Sequence, residues 1–170
     1  RHEGIRSHDE VVALFVERVE EYGASVVEPS ALAALLSGKR IGVPLDLAPS
    51  LRPAGVTLVE DGALDVLDLG ELDGALTTCL AACPETGTIA LTGGPGEGRR
   101  ALTLVPDLHV CVVSRSTVVE SVPELLAALE PAAREGRPIV LVSGPSATSD
   151  IELERVEGVH GPRRLVIVLS

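Results

Sequence analysis

The sequence predicts a three-layer α/β/α fold built on a mostly parallel β-sheet. Helix-type and strand-type patterns alternate along the chain, the arrangement that feeds a parallel sheet through helical crossovers. Several strand candidates are continuous apolar runs, such as Val110-Cys111-Val112-Val113 and Ile139-Val140-Leu141-Val142, and strands of that kind are covered on both faces. The interior must also be aliphatic. Hydrophobic residues make up 45% of the chain, yet there is one Phe, one Tyr and no Trp or Met.

Ser7-His8-Asp9-Glu10 matches a capping box, and Val11, Leu14, Phe15, Val19 and Tyr22 recur at helical spacing until Gly23, which predicts a helix over 7–22. A short strand follows at Ser25–Val27, a small helix at Ser30–Leu36, and a strand at Arg40–Val43 closed by Pro44. Asp46–Pro53 holds two prolines and little periodicity, so it reads as a flexible surface loop before a strand at Val56–Val59. Further strands are expected at Ala75–Cys79, Thr88–Leu91, His109–Val113, Ile139–Val142 and Leu165–Leu169, with a helix at Val122–Leu129. At 170 residues the chain suits one α/β domain over 1–170. It contains no Met and begins at Arg1, so a natural start upstream of this numbering is expected.

Composition excludes several function classes. A formal net charge of −11 opposes a phosphate backbone, and the scarcity of aromatics removes stacking platforms for single strands, so nucleic acid is not expected as a partner. No apolar stretch approaches the ~20 residues needed to cross a bilayer, and Arg1-His2-Glu3-Gly4 is too polar for a secretory signal; a cytoplasmic protein is the expectation. Cys79 and Cys83 are separated by three residues, not the two typical of zinc or iron–sulfur sites, and His2, His8, His109 and His160 are scattered. No metal site is expected. Cys79 and Cys111 lie in aliphatic segments and read as small buried hydrophobes.

Two loops carry residues suited to an anion. Pro138–Val142 runs into Ser143-Gly144-Pro145-Ser146-Ala147-Thr148-Ser149-Asp150 and then into Ile151–Glu157, a strand, a hydroxyl-rich loop and a helical turn or two. Amides and hydroxyls at such a helix start can cradle a carboxylate or phosphate, and the same residues also serve as ordinary caps. The second segment, Gly93-Gly94-Pro95-Gly96-Glu97-Gly98-Arg99-Arg100, has the glycine spacing of a P-loop but lacks its Lys-Ser/Thr pair, and it misses the dinucleotide fingerprint by one place. What remains is a mobile glycine loop whose Arg99 and Arg100 are candidate anion contacts, or a turn whose arginines balance the acidic surface. Glu85, before Thr86-Gly87, is placed at a strand mouth where an acid could act as base, nucleophile or orienting group. Asp150, Glu154 and Glu157 would share a helix face, with Glu152 off it, and His160 occupies a loop where imidazole could bind an anion or move protons.

Three segments together, Glu85-Thr86-Gly87-Thr88-Ile89, Gly94 to Asp107, and Ser143 to Pro162, resemble the LUD-domain family. The resemblance implies a fold like that of glucosamine-6-phosphate deaminase, ribose-5-phosphate isomerase and the coenzyme A transferases, with the family motifs in the half over 85–170. It implies a role in bacterial growth on L-lactate, as a subunit beside partner proteins that carry iron–sulfur centres. No flavin, haem, nicotinamide or iron–sulfur signature is present, so the chain is expected to hold no cofactor and to be an accessory that binds a small anionic ligand. The alternatives are a stand-alone enzyme of acyl, coenzyme A or phosphosugar chemistry using Glu85 or Glu152, and a pure assembly protein. The family's pattern is departed from at Ala82-Cys83-Pro84, which would bend the approach to Glu85. Candidate ligand contacts are Thr86, Gly87, Gly94, Gly96, Gly98, Arg99, Arg100, Ser143, Gly144, Ser146, Thr148, Ser149 and Asp150, and candidate catalytic groups are Glu85, Glu152 and His160.

Overall fold

Parallel pairing dominates the computed structural model, which describes residues 6–148, 156–157 and 161–170. Strands β1 (Ser25–Val27), β2 (Arg40–Val43), β3 (Thr57–Glu60), β4 (Gly74–Thr78), β7 (Leu108–Val113) and β11 (Arg164–Leu169) form one six-stranded sheet in the order β1-β11-β7-β4-β2-β3. Every pairing in it is parallel, with Thr77 opposite Cys111 and Ile167 opposite Cys111 on the other side. The apolar runs are explained by burial on both faces: β7 and β4 are buried along nearly their whole length.

Helix α1 (His8–Glu21) starts at Ser7 with the expected capping box, Ser7 Oγ accepting from Glu10 N while the Glu10 carboxylate accepts from Ser7 N. Its Val11, Val12, Phe15 and Val19 pack against Cys111, Val113, Leu165, Ile167 and Leu169 of one sheet face. Full burial of Phe15 contributes about 2–3 kcal/mol. The opposite face, Ile41, Val43, Leu76, Val110, Val112, Val166 and Val168, is covered by Leu32 and Leu36 of α2 (Leu32–Leu36). Helices α3 (Val66–Gly70) and α4 (Arg100–Leu104) were not visible in the sequence; they pair through Leu69, Leu72 and Leu102 over Ala75.

The main correction concerns Thr88–Leu91 and Ile139–Val142. They are not part of the parallel sheet. With β5 (Ala81–Cys83), strands β6 (Thr88–Leu91) and β8 (Val140–Val142) make a separate antiparallel sheet in the order β5-β6-β8. Ala82, Ile89 and Leu91 join the α1 core, while Ala81, Cys83 and Ala90 pack on Leu125 and Leu129 of α5 (Val122–Arg134). The stretch over 46–53 also differs from a flexible loop: Leu47 is buried, Pro49–Leu51 forms a 3₁₀ turn, and Arg52 donates to the carbonyls of Pro44, Leu45 and Leu47 and to Glu60.

The helix expected over 151–157 is contradicted at its end. Val156–Glu157 is a strand (β10) paired antiparallel with Ala147–Thr148 (β9), so a helix does not run on to Glu157. Residues 149–155 and 158–160, which include Ser149, Asp150, Glu152, Glu154 and His160, lie outside the described residues.

Candidate functional site

The glycine loop after β6 is folded around a carboxylate. Glu97 is 3% exposed, and it accepts hydrogen bonds from Thr92 N at 2.9 Å, Thr92 Oγ1 at 3.1 Å and Gly94 N at 2.7 Å. Arg137 Nη1 donates to the same Thr92 hydroxyl at 3.2 Å, which brings a cation close to the buried acid. From the other side β4 grips the loop, Thr78 N donating to the Gly96 carbonyl at 2.8 Å and Thr78 Oγ1 to the Pro95 carbonyl at 3.2 Å. Gly96 has φ +73°, and a Cβ there would stand 2.8 Å from Thr78 Oγ1. The loop is therefore anchored, not mobile, and Gly98 packs beside Pro44 and Leu102.

Arg99 is spent on this scaffold. Its Nε and Nη2 donate to the two Asp61 carboxylate oxygens at 2.7 and 2.9 Å, and Nη2 also reaches the Leu64 carbonyl. Those hydrogen bonds hold the Asp61 carboxyl below its usual range. The anion contact expected of Arg99 is thus replaced by an internal clasp. Arg100, the next residue, is exposed at the start of α4 and makes no side-chain hydrogen bond or ion pair with any described residue.

Beside Arg100 opens a cleft of about 390 Å³ between α4 and β8. Arg100, Thr103 and Leu104 line one wall, Val140–Ser146 the other, and Gly161 and Pro162 close the end that leads into β11. Four of the expected contacts, Arg100, Ser143, Gly144 and Ser146, thus share one cavity, at the entrance to β11 and not at the carboxyl ends of the parallel strands. Ser143 Oγ lies 2.6 Å from Thr88 Oγ1, which donates in turn to Thr86. Gly144, at φ +86°, approaches α1 so closely that a Cβ would sit 2.6 Å from the Tyr22 carbonyl oxygen. Ser146 N donates to the Pro162 carbonyl at 2.8 Å. A second hollow of about 10 Å³ borders Arg100, Thr103, Val140 and Glu97. It has room for roughly one water molecule, and Glu97 is taken up by the hydrogen bonds that shape the loop.

Other expected residues fall outside the cleft. Glu85 is exposed and accepts from Val122 N at 2.7 Å, capping α5, whose own N-cap Ser121 supplies no side-chain bond. Its contact in this structure is that of a cap. Gly87 packs on Arg18 and Tyr22 of α1. Gly94 and Gly96 serve the Glu97 turn, and Thr148 lies in β9. Among the described residues no three His, Cys, Asp or Glu side chains are grouped to share a metal. Sequence reasoning missed Glu97, Asp61 and Thr103. For Glu97 a signal existed: an acid between two glycines has no reason to be solvated if the turn closes over it.

Deeper in the core, His109 of β7 is 1% exposed, and burial pushes its pKa down to about 4. Its Nε2 lies 2.8 Å from Thr77 Oγ1, and that hydroxyl donates its one hydrogen to the Thr78 carbonyl at 3.0 Å. With that hydrogen on the Thr78 carbonyl, Thr77 accepts from a neutral His109 carrying its proton on Nε2.

The family model for the LUD domain matches residues 67–170. The chain belongs to the LUD-domain family. It is 43% identical to lactate utilization protein C of Deinococcus radiodurans over 96% of this chain and 81% of that protein. Lactate utilization protein C of Bacillus pumilus is 39% identical over 50% of this chain, but the matched stretch is 37% of that protein's length. A DUF162 family protein from Deinococcus radiodurans, solved by crystallography, superposes with a TM-score of 0.84 at 35% identity, covering 98% of this chain and all of that one. The Glu97-centred loop and the cleft beside Arg100 both fall within the matched residues. No helix among the described residues is long and apolar enough to cross a membrane.

Proposed function

We propose that this chain serves bacterial lactate utilization as an accessory subunit that binds a small carboxylate in the cleft beside Arg100. The observation that carries the reading is the Arg100 guanidinium, paired with no side chain or backbone group among the described residues, lining a cavity of about 390 Å³, a volume ordinary for small-molecule sites. A guanidinium grips a carboxylate with two parallel hydrogen bonds, Thr103 and Ser143 offer hydroxyls nearby, and Leu104, Val140 and Val142 give an apolar wall for a short carbon chain. The names of the relatives supply the lactate context. Redox chemistry is assigned to iron–sulfur partner proteins, because the sequence carries no signature for a redox cofactor.

Calorimetric titration with L-lactate, pyruvate and coenzyme A, alone and with lactate-utilization partners present, tests the reading. Binding of at least one of them, weakened about 10- to 100-fold by Arg100→Gln, is expected, since a hydrogen bond to a charged group is worth about 1.5–3 kcal/mol. No heat under any condition, or equal affinity in the variant, refutes it.

A further inference from the structure

We propose that the cleft discriminates by the oxidation state of the ligand's α-carbon, taking an α-hydroxycarboxylate in preference to the matching α-ketocarboxylate, with Thr103 as the residue that decides. This preference rests on the reading of the cleft as a carboxylate site, and it follows from where the hydroxyl hydrogens around the cleft are spent. A threonine or serine hydroxyl has one hydrogen to give and two lone pairs to accept with. Thr103 Oγ1 gives its hydrogen to the Arg100 carbonyl at 3.2 Å, within α4. On the opposite wall, Thr88 gives its hydrogen to Thr86, so the Ser143 hydroxyl, 2.6 Å from Thr88 Oγ1, supplies the hydrogen of that pair. Each wall of the cleft therefore presents a hydroxyl that can only accept. Ser146 N, farther along the second wall, is likewise committed to the Pro162 carbonyl.

Arg100 and Thr103 stand three residues apart on α4, the spacing that sets two helical side chains side by side, with about 5–6 Å between their Cβ atoms. A carboxylate held by the guanidinium in two parallel hydrogen bonds thus brings its own α-carbon next to the Thr103 hydroxyl. The hydroxyl of an α-hydroxy acid donates there and completes the pair. A keto oxygen carries lone pairs only. Against Thr103 Oγ1 it meets a second set of lone pairs, and turning the Thr103 hydroxyl to serve it costs the bond to the Arg100 carbonyl. Thr103 is 8% exposed, so bulk water does not repair the mismatch. The side chains of Leu104, Val140 and Val142 beside it are apolar and offer a keto oxygen no donor.

The test is calorimetric titration of the full chain with L-lactate, pyruvate and propionate, the last keeping the carboxylate but carrying no oxygen on its α-carbon. L-lactate should bind about 3- to 10-fold tighter than pyruvate, the worth of one hydrogen bond, and pyruvate should bind no tighter than propionate. Thr103→Val keeps the shape of the side chain and removes the acceptor, so it should bring L-lactate down to the propionate level and leave propionate itself unchanged, while Thr103→Ser keeps the preference. Pyruvate binding as tightly as L-lactate in the wild type, or a lactate preference that persists in Thr103→Val, overturns the proposal and leaves carboxylate binding through Arg100 standing. No binding of any of the three, or binding indifferent to Arg100→Gln, overturns the carboxylate reading of the cleft and this preference with it.

Discussion

Acidifying the protein from pH 7 to pH 5 should cost it about 2 kcal/mol of stability through His109 alone. In the unfolded chain the imidazole takes up a proton near its ordinary pKa of about 6.5; in the fold burial lowers that value to about 4. The folded pKa lies below the unfolded one, so the unfolded state binds the extra proton between these values and stability falls as pH falls through that window. At pH 5 the unfolded histidine is about 97% protonated and the folded one about 9%, which integrates to roughly 2 kcal/mol relative to neutral pH. The interval avoids Asp61, whose depressed carboxyl contributes stability above about pH 4 and loses it only at lower pH. Urea unfolding at pH 7, 6 and 5 reads the effect, which corresponds to about 4–8 °C in Tm. His109→Gln keeps a group able to donate to Thr77 but cannot titrate, so its stability should be flat over this range whatever its value at pH 7. A wild-type curve as flat as the variant's, or a variant as steep as wild type, refutes the reasoning.

Further outcomes follow from the same geometry. Glu85→Ala should cost about 1 kcal/mol by uncapping α5 and leave ligand affinity unchanged, as measured by urea midpoints and calorimetry. Gly96→Ala should cost about 1–2 kcal/mol, since φ is +73° and the added Cβ meets Thr78 Oγ1, and it should weaken ligand binding by displacing the Arg100 loop. Asp61→Asn should destabilise by about 1 kcal/mol, the exposed side of Arg99 limiting the loss, and should not change the charge facing the cleft.

The parallel sheet was legible because strands buried on both faces must be apolar throughout, and β4, β7 and β11 are. That same rule concealed the second sheet. β6 is buried between the α1 core and α5, so its Thr88–Leu91 run is as apolar as a parallel strand, and composition cannot tell which ladder it joins. Helices α3 and α4 have five residues each, too few for a helical period to be seen. Arg100, Ser143, Gly144 and Ser146, singled out by residue type, line one cleft. The Arg99 clasp is not legible in the sequence because its partner Asp61 lies 38 residues earlier in the chain, nor is the Glu85 cap, because α5 begins 37 residues later. Hydrogen bonds of that span leave no local pattern. The LUD-domain resemblance is legible because it rests on long contiguous motifs.

The central claim is that Arg100 and the Ser143–Ser146 turn together hold a small carboxylate. Amide-shift mapping of the isotope-labelled chain titrated with L-lactate and with pyruvate tests this most directly. The account predicts saturable shifts at Thr103, Ser143 and Gly144 that vanish in Arg100→Gln while those of the Asp61–Arg99 clasp stay still. Shifts that saturate elsewhere with this cleft silent, or that persist unchanged without the guanidinium, would contradict it.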